Sequence, residues 1–285
     1  MAMKKILIPT DFSNEAKNAA AAAQILAKKF NAKLVFLHSI EVTSSESINA
    51  SGAPSNFDSY ADSMLVHESI KRANEDMKRL LAENSLQDKD VSQIIKIGSP
   101  FAHINEAIEE EGVDFIVMGT KGASGLSEVL IGSNTEKVVR RARCPVLSVK
   151  DKIDDNVFES IVYATDIGTQ VGKVMATLAD IQKAYNSKIY VVWINTPNNF
   201  KSDRITMALL REFAAKHNMS NYEVRVFNDV IEEDGIRHFA DEIGAGMIVM
   251  GTSSHTGLSR IIRGSIAEDM VNHAKRPVLT VSLKN

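Results

Sequence analysis

The sequence predicts two consecutive α/β domains, each with a parallel sheet that is covered by helices on both faces. Three observations lead to this fold class. The length of 285 residues fits two domains of ordinary size. Short β-branched or apolar runs alternate with longer helical patterns, which is typical of a buried parallel sheet. Finally, both halves contain the same short segments: Thr-Asp follows the first strand at Asp11 and Asp166, and Met-Gly-Thr closes a later strand at Thr120 and Thr252.

The elements follow from these patterns in chain order. Each strand is a run of about four to eight apolar or β-branched residues, and each helix is a longer segment with one apolar face. The alanine-rich run Ala19–Ala23 belongs to such a helical segment, because Lys17 and Lys28 flank it. In the first half, strands are expected at Lys4–Ile8, Lys33–His38, Val91–Ile97, Phe115–Met118 and Val146–Val149, and helices at Asn14–Phe30, Met64–Asn84, Ala102–Glu110 and Asn134–Ala142. In the second half, strands are expected near Ile161–Ala164, Lys188–Ile194, Tyr222–Phe227, Met247–Met250 and Val278–Val281.

The two halves differ by one insertion. Asp166 follows Asp11 by 155 positions, whereas Gly251 follows Gly119 by only 132, so the first half carries 23 extra residues. The segment Glu41–Ser63 is rich in Ser, Asn, Gly and Asp and has few large apolar residues. The insertion is therefore expected in this segment, as a surface loop.

A short polar stretch, Lys150–Phe158, separates the halves and is the expected linker. It contains three aspartates, an asparagine and a second lysine, and it lies between two predicted strands. The sequence therefore predicts domains at residues 1–150 and 157–285.

Composition narrows the range of functions. The net charge of −3 argues against a nucleic-acid-binding protein. The single cysteine, Cys144, excludes an internal disulfide framework and suits a reducing compartment, and we expect a buried structural thiol. The apolar run at the N-terminus ends at Pro9, too early for a signal peptide, and no stretch approaches the ~20 apolar residues of a membrane span. A cytoplasmic protein is expected. The seven histidines show no metal-ligand spacing, so no metal ligands are assigned.

The most informative motif is a glycine pattern between the fourth strand and the last helix of the first half. It consists of Gly119, two residues, Gly122, nine residues, Gly132 and Ser133. Glycines let backbone amides approach a ligand closely, and a helix N-terminus offers unpaired donors and positive potential. The pattern therefore indicates a phosphate site. If the first and fourth strands are neighbours, Asp11 faces the same crevice at the carboxyl ends of the strands.

Simpler interpretations of the same residues stay open. Asp11 and Asp166 could serve only as turn formers or N-caps. Lys121, inside the glycine pattern, could be a solvated loop lysine. The basic cluster around Arg140 lies in the last turn of a predicted helix, where cations complement the helix dipole, and this interpretation is favoured over an anion site.

These motifs resemble the universal stress protein family in its tandem two-domain form, and the match covers nearly the whole chain. The nucleotide-binding members of the family show G-x2-G-x9-G-[ST] before the last helix and an aspartate after the first strand. Gly119, Gly122, Gly132, Ser133 and Asp11 satisfy both features. The resemblance implies a strand order of 3-2-1-4-5, ATP as the usual ligand, and pairing of the two domains as a pseudo-dimer through their fifth strands.

The resemblance also implies a set of nucleotide-binding residues in the first domain. The adenine and ribose would lie near the end of the first strand, the fourth strand would end beneath the nucleoside, and the last helix would receive the phosphates. Asp11 could instead hold a magnesium ion through water, so ATP is expected with or without Mg²⁺. The implied residues are Pro9, Thr10, Asp11, Ile40, Met118, Gly119, Lys121, Gly122, Gly132, Ser133, Asn134 and Thr135.

The second domain departs from this pattern. Ser254 replaces the second glycine, Ser253 the lysine, and Ile266 and Ala267 the polar pair at the start of the helix. Other departures are Glu268 and Asp269, which would repel a phosphate, Asn195 in the place of Ile40, and His255, Arg260 and Arg263, which could attract an anion. We expect weak or absent ATP binding in the second domain.

The leading hypothesis for function is an ATP-binding stress-response protein that acts as a sensor or regulator. No Ser/His/Asp or Cys/His constellation is apparent, so no catalytic residues are assigned. One alternative is a slow ATP-hydrolysing or nucleotidyl-transferring enzyme, with Glu128 as the loop carboxylate that might orient water. Another is a module for a small ligand or lipid, with the segment Glu41–Ser63 as a lid. The sequence leaves open whether the chain also forms a homodimer.

Overall fold

The computed structural model of the chain describes residues 3–41, 59–84, 86, 90–120, 132–168, 171–252 and 264–283. Several residues named above lie outside these ranges: Lys121, Gly122, Glu128, Ser253, Ser254, His255, Arg260 and Arg263. Most of the predicted loop, residues 42–58, also lies outside them. None of the helices in the described ranges has the length and apolar character needed to cross a membrane.

Strands and helices alternate along the chain as the sequence predicts. The strands are β1 (Lys5–Pro9), β2 (Lys33–Ile40), β3 (Val91–Ile97), β4 (Phe115–Gly119), β5 (Val146–Val149), β6 (Ser160–Ala164), β7 (Lys188–Asn195), β8 (Tyr222–Asn228), β9 (Met247–Thr252) and β10 (Val278–Ser282). The helices are α1 (Asn14–Phe30), α2 (Ser59–Glu83), α3 (Pro100–Glu110), α4 (Ser133–Arg141), α5 (Gly172–Tyr185), α6 (Asp203–Lys216), α7 (Glu232–Glu242) and α8 (Gly264–His273).

All ten strands form one sheet, in the order β3-β2-β1-β4-β5-β10-β9-β6-β7-β8. The first half therefore has the expected order 3-2-1-4-5, and the second half repeats it in mirror sequence across the sheet. Pairing is parallel within each half. The halves meet at β5 and β10, which are antiparallel and place Leu147 opposite Leu279.

Helices cover both faces of the sheet because alternate strand residues point to opposite sides. Ile6 and Ile8 pack with the buried side of α1, in a core that also includes residues of α2, α5 and α6. Leu7, between them, belongs to a second core with residues of α3, α4, α7 and α8. Both cores run across the two halves, so the predicted doubly wound α/β class is confirmed.

Several boundaries differ from the sequence predictions, and the linker contains one element that the patterns did not predict. α2 begins at Ser59, inside the segment predicted as loop. α3 begins at Pro100 rather than at residue 102, because proline fits the first turn of a helix, where its missing N–H is not needed. The linker contains a short 3-10 helix, Asp155–Phe158, which the Asp154 carboxylate caps by accepting from the Asn156 amide at 3.1 Å.

Candidate functional site

A cleft of about 450 Å³ opens at the carboxyl ends of β1 and β4. These strands are neighbours, since Ile6 pairs with Phe115, and the order of the strands reverses at β1. Such a switch point is where open α/β sheets bind ligands. Nine of the twelve predicted residues line the cleft: Pro9, Thr10, Asp11, Met118, Gly119, Gly132, Ser133, Asn134 and Thr135. The other lining residues are Ala16, Leu37, Ser39, Glu41, Pro100 and Ile104.

The turn after β1 fixes Asp11 at the edge of the cleft. One Asp11 carboxylate oxygen accepts from the Ser13 amide at 3.1 Å, and the Thr10 hydroxyl accepts from the Phe12 amide at 3.1 Å. Phe12 has φ of 64°, a left-handed conformation that is costly for a bulky residue and is found at functional turns. The turn-forming role of Asp11 is therefore real, and it holds the carboxylate in the wall of the cleft.

The same turn recurs in the second half. The Asp166 carboxylate accepts from the Gly168 amide at 3.0 Å, and the Thr165 hydroxyl accepts from the Ile167 amide at 3.0 Å. Ile167 has φ of 61°, although it is β-branched. The turn is thus a property of both halves, and it cannot by itself distinguish a ligand site from a connection.

Helix α4 points its N-terminus at the cleft. Its N-cap is Gly132, which has no side chain to satisfy the first amides. The first bond within the helix runs from the Glu136 amide to the Gly132 carbonyl at 3.0 Å, so the amides of residues 133–135 have no partner inside the helix. These donors, with the positive end of the helix dipole, form an environment that favours an anion.

Hydrogen bonds from side chains and from the backbone connect the start of α4 to both walls of the cleft. The Thr135 hydroxyl donates to the Gly119 carbonyl at 2.9 Å, and the Gly132 amide donates to the Thr120 carbonyl at 2.9 Å. Across the mouth of the cleft, the side-chain amide of Asn134 donates to the Glu41 carboxylate at 3.3 Å. The end of β4 and the first turn of α4 therefore form one connected unit.

Replacing Thr135 by valine tests this connection. Thr135 is 5% exposed, so its loss would leave the Gly119 carbonyl without that donor. We expect Thr135→Val to lower the free energy of unfolding by about 1 kcal/mol. Thr177→Val is the matched control, because the exposed Thr177 hydroxyl bonds only a carbonyl of its own helix. Its effect should stay within about 0.5 kcal/mol. Equal losses in urea unfolding would contradict the assigned tie.

The opposite end of the cleft is largely apolar. Leu37, Pro100 and Ile104 form walls there, and Met118 adds an apolar surface at the end of β4. Ser39 adds one polar group to this end. Its hydroxyl lies 2.9 Å from Nδ1 of the buried His103. Flat apolar walls with a few polar groups suit an aromatic base.

Ile40, which was expected to line the base, is not among the residues that line the cleft. Its neighbours Ser39 and Glu41 are, because successive side chains of a strand point to opposite faces. The main chain of Ile40 is engaged as well, since its carbonyl accepts from the Gly98 amide at 2.9 Å. The alternation along β2 from Leu37 to Glu41 is the sequence signal that could have identified Ser39.

The described residues at the apolar end of the corresponding place in the second half are closely packed. A space of only about 20 Å³ remains between the described residues there. The strand register shows which residues of the two halves are equivalent. Leu37 on β2 pairs with Pro9 of β1, and Val192 on β7 pairs with Ala164 of β6. Two residues further along β7, Ile194 therefore occupies the position that Ser39 has on β2. The lining residues are Ala164, Thr165, Val192, Trp193, Ile194, Glu232, Ile236 and Met250.

Polar groups beside this small space form hydrogen bonds with each other. The Glu232 carboxylate accepts from the Asn199 amide at 3.1 Å and from the Thr196 hydroxyl at 3.2 Å. Asn195 was expected to make the base wall more polar. Instead its amide donates to the Asn228 side chain at 2.9 Å, and its oxygen accepts from the Lys201 amide at 2.9 Å. Asn195 therefore holds the loop after β7 and is not part of a wall.

Helix α8 begins with the same Gly-Ser pair as α4, Gly264 and Ser265, but it lacks the tie that Thr135 makes. The buried Ala267 stands at the position of Thr135 and cannot form the tie to the preceding strand. Glu268 was expected to repel a phosphate. Its carboxylate instead lies 3.8 Å from the Arg140 guanidinium of α4, at the junction of the two halves, and burial raises its pKa. Arg140 thus contacts the other half of the molecule from the end of its helix.

The fold and the cleft define a tandem doubly wound α/β protein whose first half has an open cleft at a switch point. The family model that describes the universal stress protein family matches residues 3–150 and 158–282. The chain therefore belongs to the universal stress protein family and contains two copies of its domain.

Individual relatives agree with this assignment. The chain is similar to two universal stress proteins of Methanocaldococcus jannaschii, 35% identical over 147 residues and 32% identical over 158 residues. Each match spans 52% of this chain, and it covers 82% and 96% of the respective relative. A crystal structure of a universal stress protein from Archaeoglobus fulgidus has the same fold, with a TM-score of 0.74 at 20% identity over 100% of both chains.

Proposed function

We propose that the first domain, residues 1–150, binds ATP, and that the second domain, residues 157–285, does not. In this proposal the protein is a cytoplasmic regulator in a stress response rather than an enzyme. The observation that carries it is that a cleft of about 450 Å³ is open in the first half, whereas only about 20 Å³ remains among the described residues at the apolar end of its counterpart in the second half. The larger volume lies in the range of small-molecule sites.

The residues of the first cleft suit the three parts of a nucleotide. The amides at the start of α4, with Ser133 and Asn134, offer donors to phosphate oxygens. Asp11 offers a carboxylate to ribose hydroxyls, or to a magnesium ion through its water shell. Leu37 and Ile104 offer apolar surfaces to the base. Lys121 and Gly122 belong to the same proposal but lie outside the described residues.

Regulation requires only that two conformations of the protein differ in affinity for the nucleotide. The tie between Thr135 and Gly119 joins the proposed phosphate site to the end of β4, and β5 next to β4 meets the second half. A ligand that tightens the start of α4 could therefore change the packing of α4 against α8, where Arg140 faces Glu268. The second domain would then receive the signal rather than a second nucleotide.

Calorimetric titration tests the proposal. We expect one ATP per chain, with or without Mg²⁺. Asn134→Asp places a negative charge beside the phosphates, and it should weaken ATP binding at least tenfold, because like charges a few ångströms apart repel by more than about 1.4 kcal/mol at an effective dielectric constant of 20.

Two controls separate charge from structure. Adenosine has no phosphate, so its affinity should not change in Asn134→Asp. Asn134→Ser removes the side-chain amide without adding charge and should cost ATP affinity less. Two equivalent sites per chain, or no heat at millimolar ATP, would contradict the proposal. Sustained turnover of ATP would favour the enzyme alternative.

A further inference from the structure

Two residues at the apolar end of the first cleft are replaced together in the second half. Ser39 on β2 becomes Ile194 on β7. His103, the fourth residue of α3, becomes Gly235, the fourth residue of α7. The four residues therefore form two equivalent pairs, one polar and one apolar.

The two residues of each pair are in contact, and the contact in the second half leaves no room for a side chain such as that of His103. In the first half, Ser39 Oγ and His103 Nδ1 are 2.9 Å apart, and His103 is only 9% exposed. In the second half, a Cβ atom at Gly235 would lie 2.4 Å from Cγ2 of Ile194, so no side chain fits there while isoleucine is present. Ile194 in turn is 6% exposed and lines the residual space of about 20 Å³. The exchange is thus coupled: glycine at 235 makes room for the side chain that fills the cleft.

The place of this pair in the cleft indicates what it would contact. Helix α4 follows β4, on one side of β1, whereas Ser39 ends β2, on the other side. Asp11, at the end of β1, lies between them. A nucleotide with its phosphates at α4 and its ribose at Asp11 therefore has its base beside Ser39, Leu37 and Ile104.

We infer that the Ser39–His103 pair selects the base of the bound nucleotide, and that its replacement by Ile194–Gly235 closes the second cleft to nucleotides. This inference rests on the proposed binding of ATP in the first domain. Ser39 contacts the base, and His103 is a positioning residue. We assign the Nε2–H tautomer to His103, in which Nδ1 accepts the hydroxyl proton of Ser39 and the oxygen of Ser39 can only accept a further bond. It then suits the amino group at position 6 of adenine and not the carbonyl of hypoxanthine or guanine.

The test compares ATP with ITP, which differ at that position. The wild-type chain should bind ATP at least tenfold more tightly than ITP. Ser39→Ala removes the hydroxyl and keeps the cleft open, so the preference should fall to about twofold or less. His103→Ala should lower the preference in the same way, because the hydroxyl of Ser39 is then free to rotate and to donate. A purely structural role would change both affinities equally and leave their ratio intact.

Two further variants complete the test. The double variant Ser39→Ile/His103→Gly introduces the pair of the second half, and it should weaken ATP and ITP at least tenfold while unfolding cooperatively like the wild type. Asn134→Asp, at the phosphate end, should weaken ATP and ITP alike and preserve their ratio. An unchanged ATP preference in both Ser39→Ala and His103→Ala would overturn this inference alone. Failure of the wild-type chain to bind any nucleotide would overturn the proposed function and this inference with it.

Discussion

Gly119→Ala is expected to lower the free energy of unfolding by about 2–3 kcal/mol, more than the same change at the equivalent Gly251. A Cβ atom at Gly119 would lie 2.8 Å from the carbonyl carbon of Glu15 and 3.0 Å from its oxygen. These atoms belong to the backbone of α1, so the helix or β4 would have to shift. At Gly251 the nearest atoms are in the Leu283 side chain, at 2.8 Å, and a side chain can rotate away.

Urea unfolding of three variants gives the comparison. Gly251→Ala should cost about 1 kcal/mol or less, because only Leu283 must adjust. Gly172→Ala is the baseline, since nothing lies within 4 Å of its added Cβ atom, and it should be neutral or slightly stabilising. Equal losses at 119 and 251 would show that α1 yields as readily as a single side chain, and the assigned close packing would be wrong.

The close packing of α1 against β4 requires a glycine at position 119, and the motif alone did not reveal this requirement. The sequence pattern indicates a glycine that lets a phosphate approach, whereas the structure shows a glycine that also lets α1 approach β4. The packing requirement holds at this position independently of the proposed phosphate. A loss of ATP affinity in Gly119→Ala would therefore have to be measured well below the unfolding transition before it is assigned to the ligand.

The sequence was sufficient for the class of fold and for most of the cleft. Period-two and helical patterns are local, so the strands could be predicted to within about two residues. The Thr-Asp turn and the glycine pattern lie at strand ends, and the carboxyl ends of parallel strands meet at one edge. Asp11 and Gly132 could therefore be placed in one crevice before the structure showed it.

The rest of the site depended on contacts between distant segments. Alternation along β2 places Ser39 on the same face as Leu37, but Ser39 and His103 are 64 positions apart and no local pattern pairs them. The insertion in the first half also changes the offset between the copies, from 155 before it to 132 after it. The exchange of Ser39–His103 for Ile194–Gly235 becomes visible only when each half is aligned by its strand register.

Glu268 shows the same limit of prediction from sequence, here for a charged residue. The sequence places a carboxylate early in a helix, where it would act on a ligand. The structure places it against Arg140 of the other half, 3.8 Å away, because β5 and β10 bring α4 and α8 together. A local pattern predicts the position of a charge along a helix, but the pairing of the two halves decides what that charge faces.

Raising the pH above 9 is expected to destabilise the protein steeply, with Cys144 as one identifiable cause. The thiol is 8% exposed among apolar residues of the second core, and burial raises its pKa from 9.0 to about 12. Burial also raises the pKa of the Tyr163 and Tyr185 hydroxyls above 10.0. All three groups therefore keep their protons in the folded chain at a pH where the unfolded chain has begun to release them.

The sign of the effect follows from proton counts. Below pH 9 the thiol is protonated in both states and contributes no pH dependence. Between pH 9 and about pH 12 the unfolded state binds fewer protons than the folded state, so stability falls with rising pH. The slope for one such group is about 1.4 kcal/mol per pH unit, which gives a loss of up to about 4 kcal/mol over this window.

Cys144→Ala isolates the contribution of the thiol to the pH dependence of stability. The variant loses some packing at every pH, so the informative quantity is the difference in unfolding free energy between wild type and variant as a function of pH. We expect that difference to be constant from pH 7 to about pH 8.5 and to shrink above pH 9 by about 1.4 kcal/mol per unit, because only the wild type has a thiol to ionise on unfolding. Urea unfolding at half-unit steps up to pH 10 stays below the ordinary pKa of lysine, and the lysine titration that remains is common to both chains and cancels in the difference. Parallel curves over that range would mean that Cys144 ionises as easily in the fold as in the unfolded chain, and that the core around it admits water.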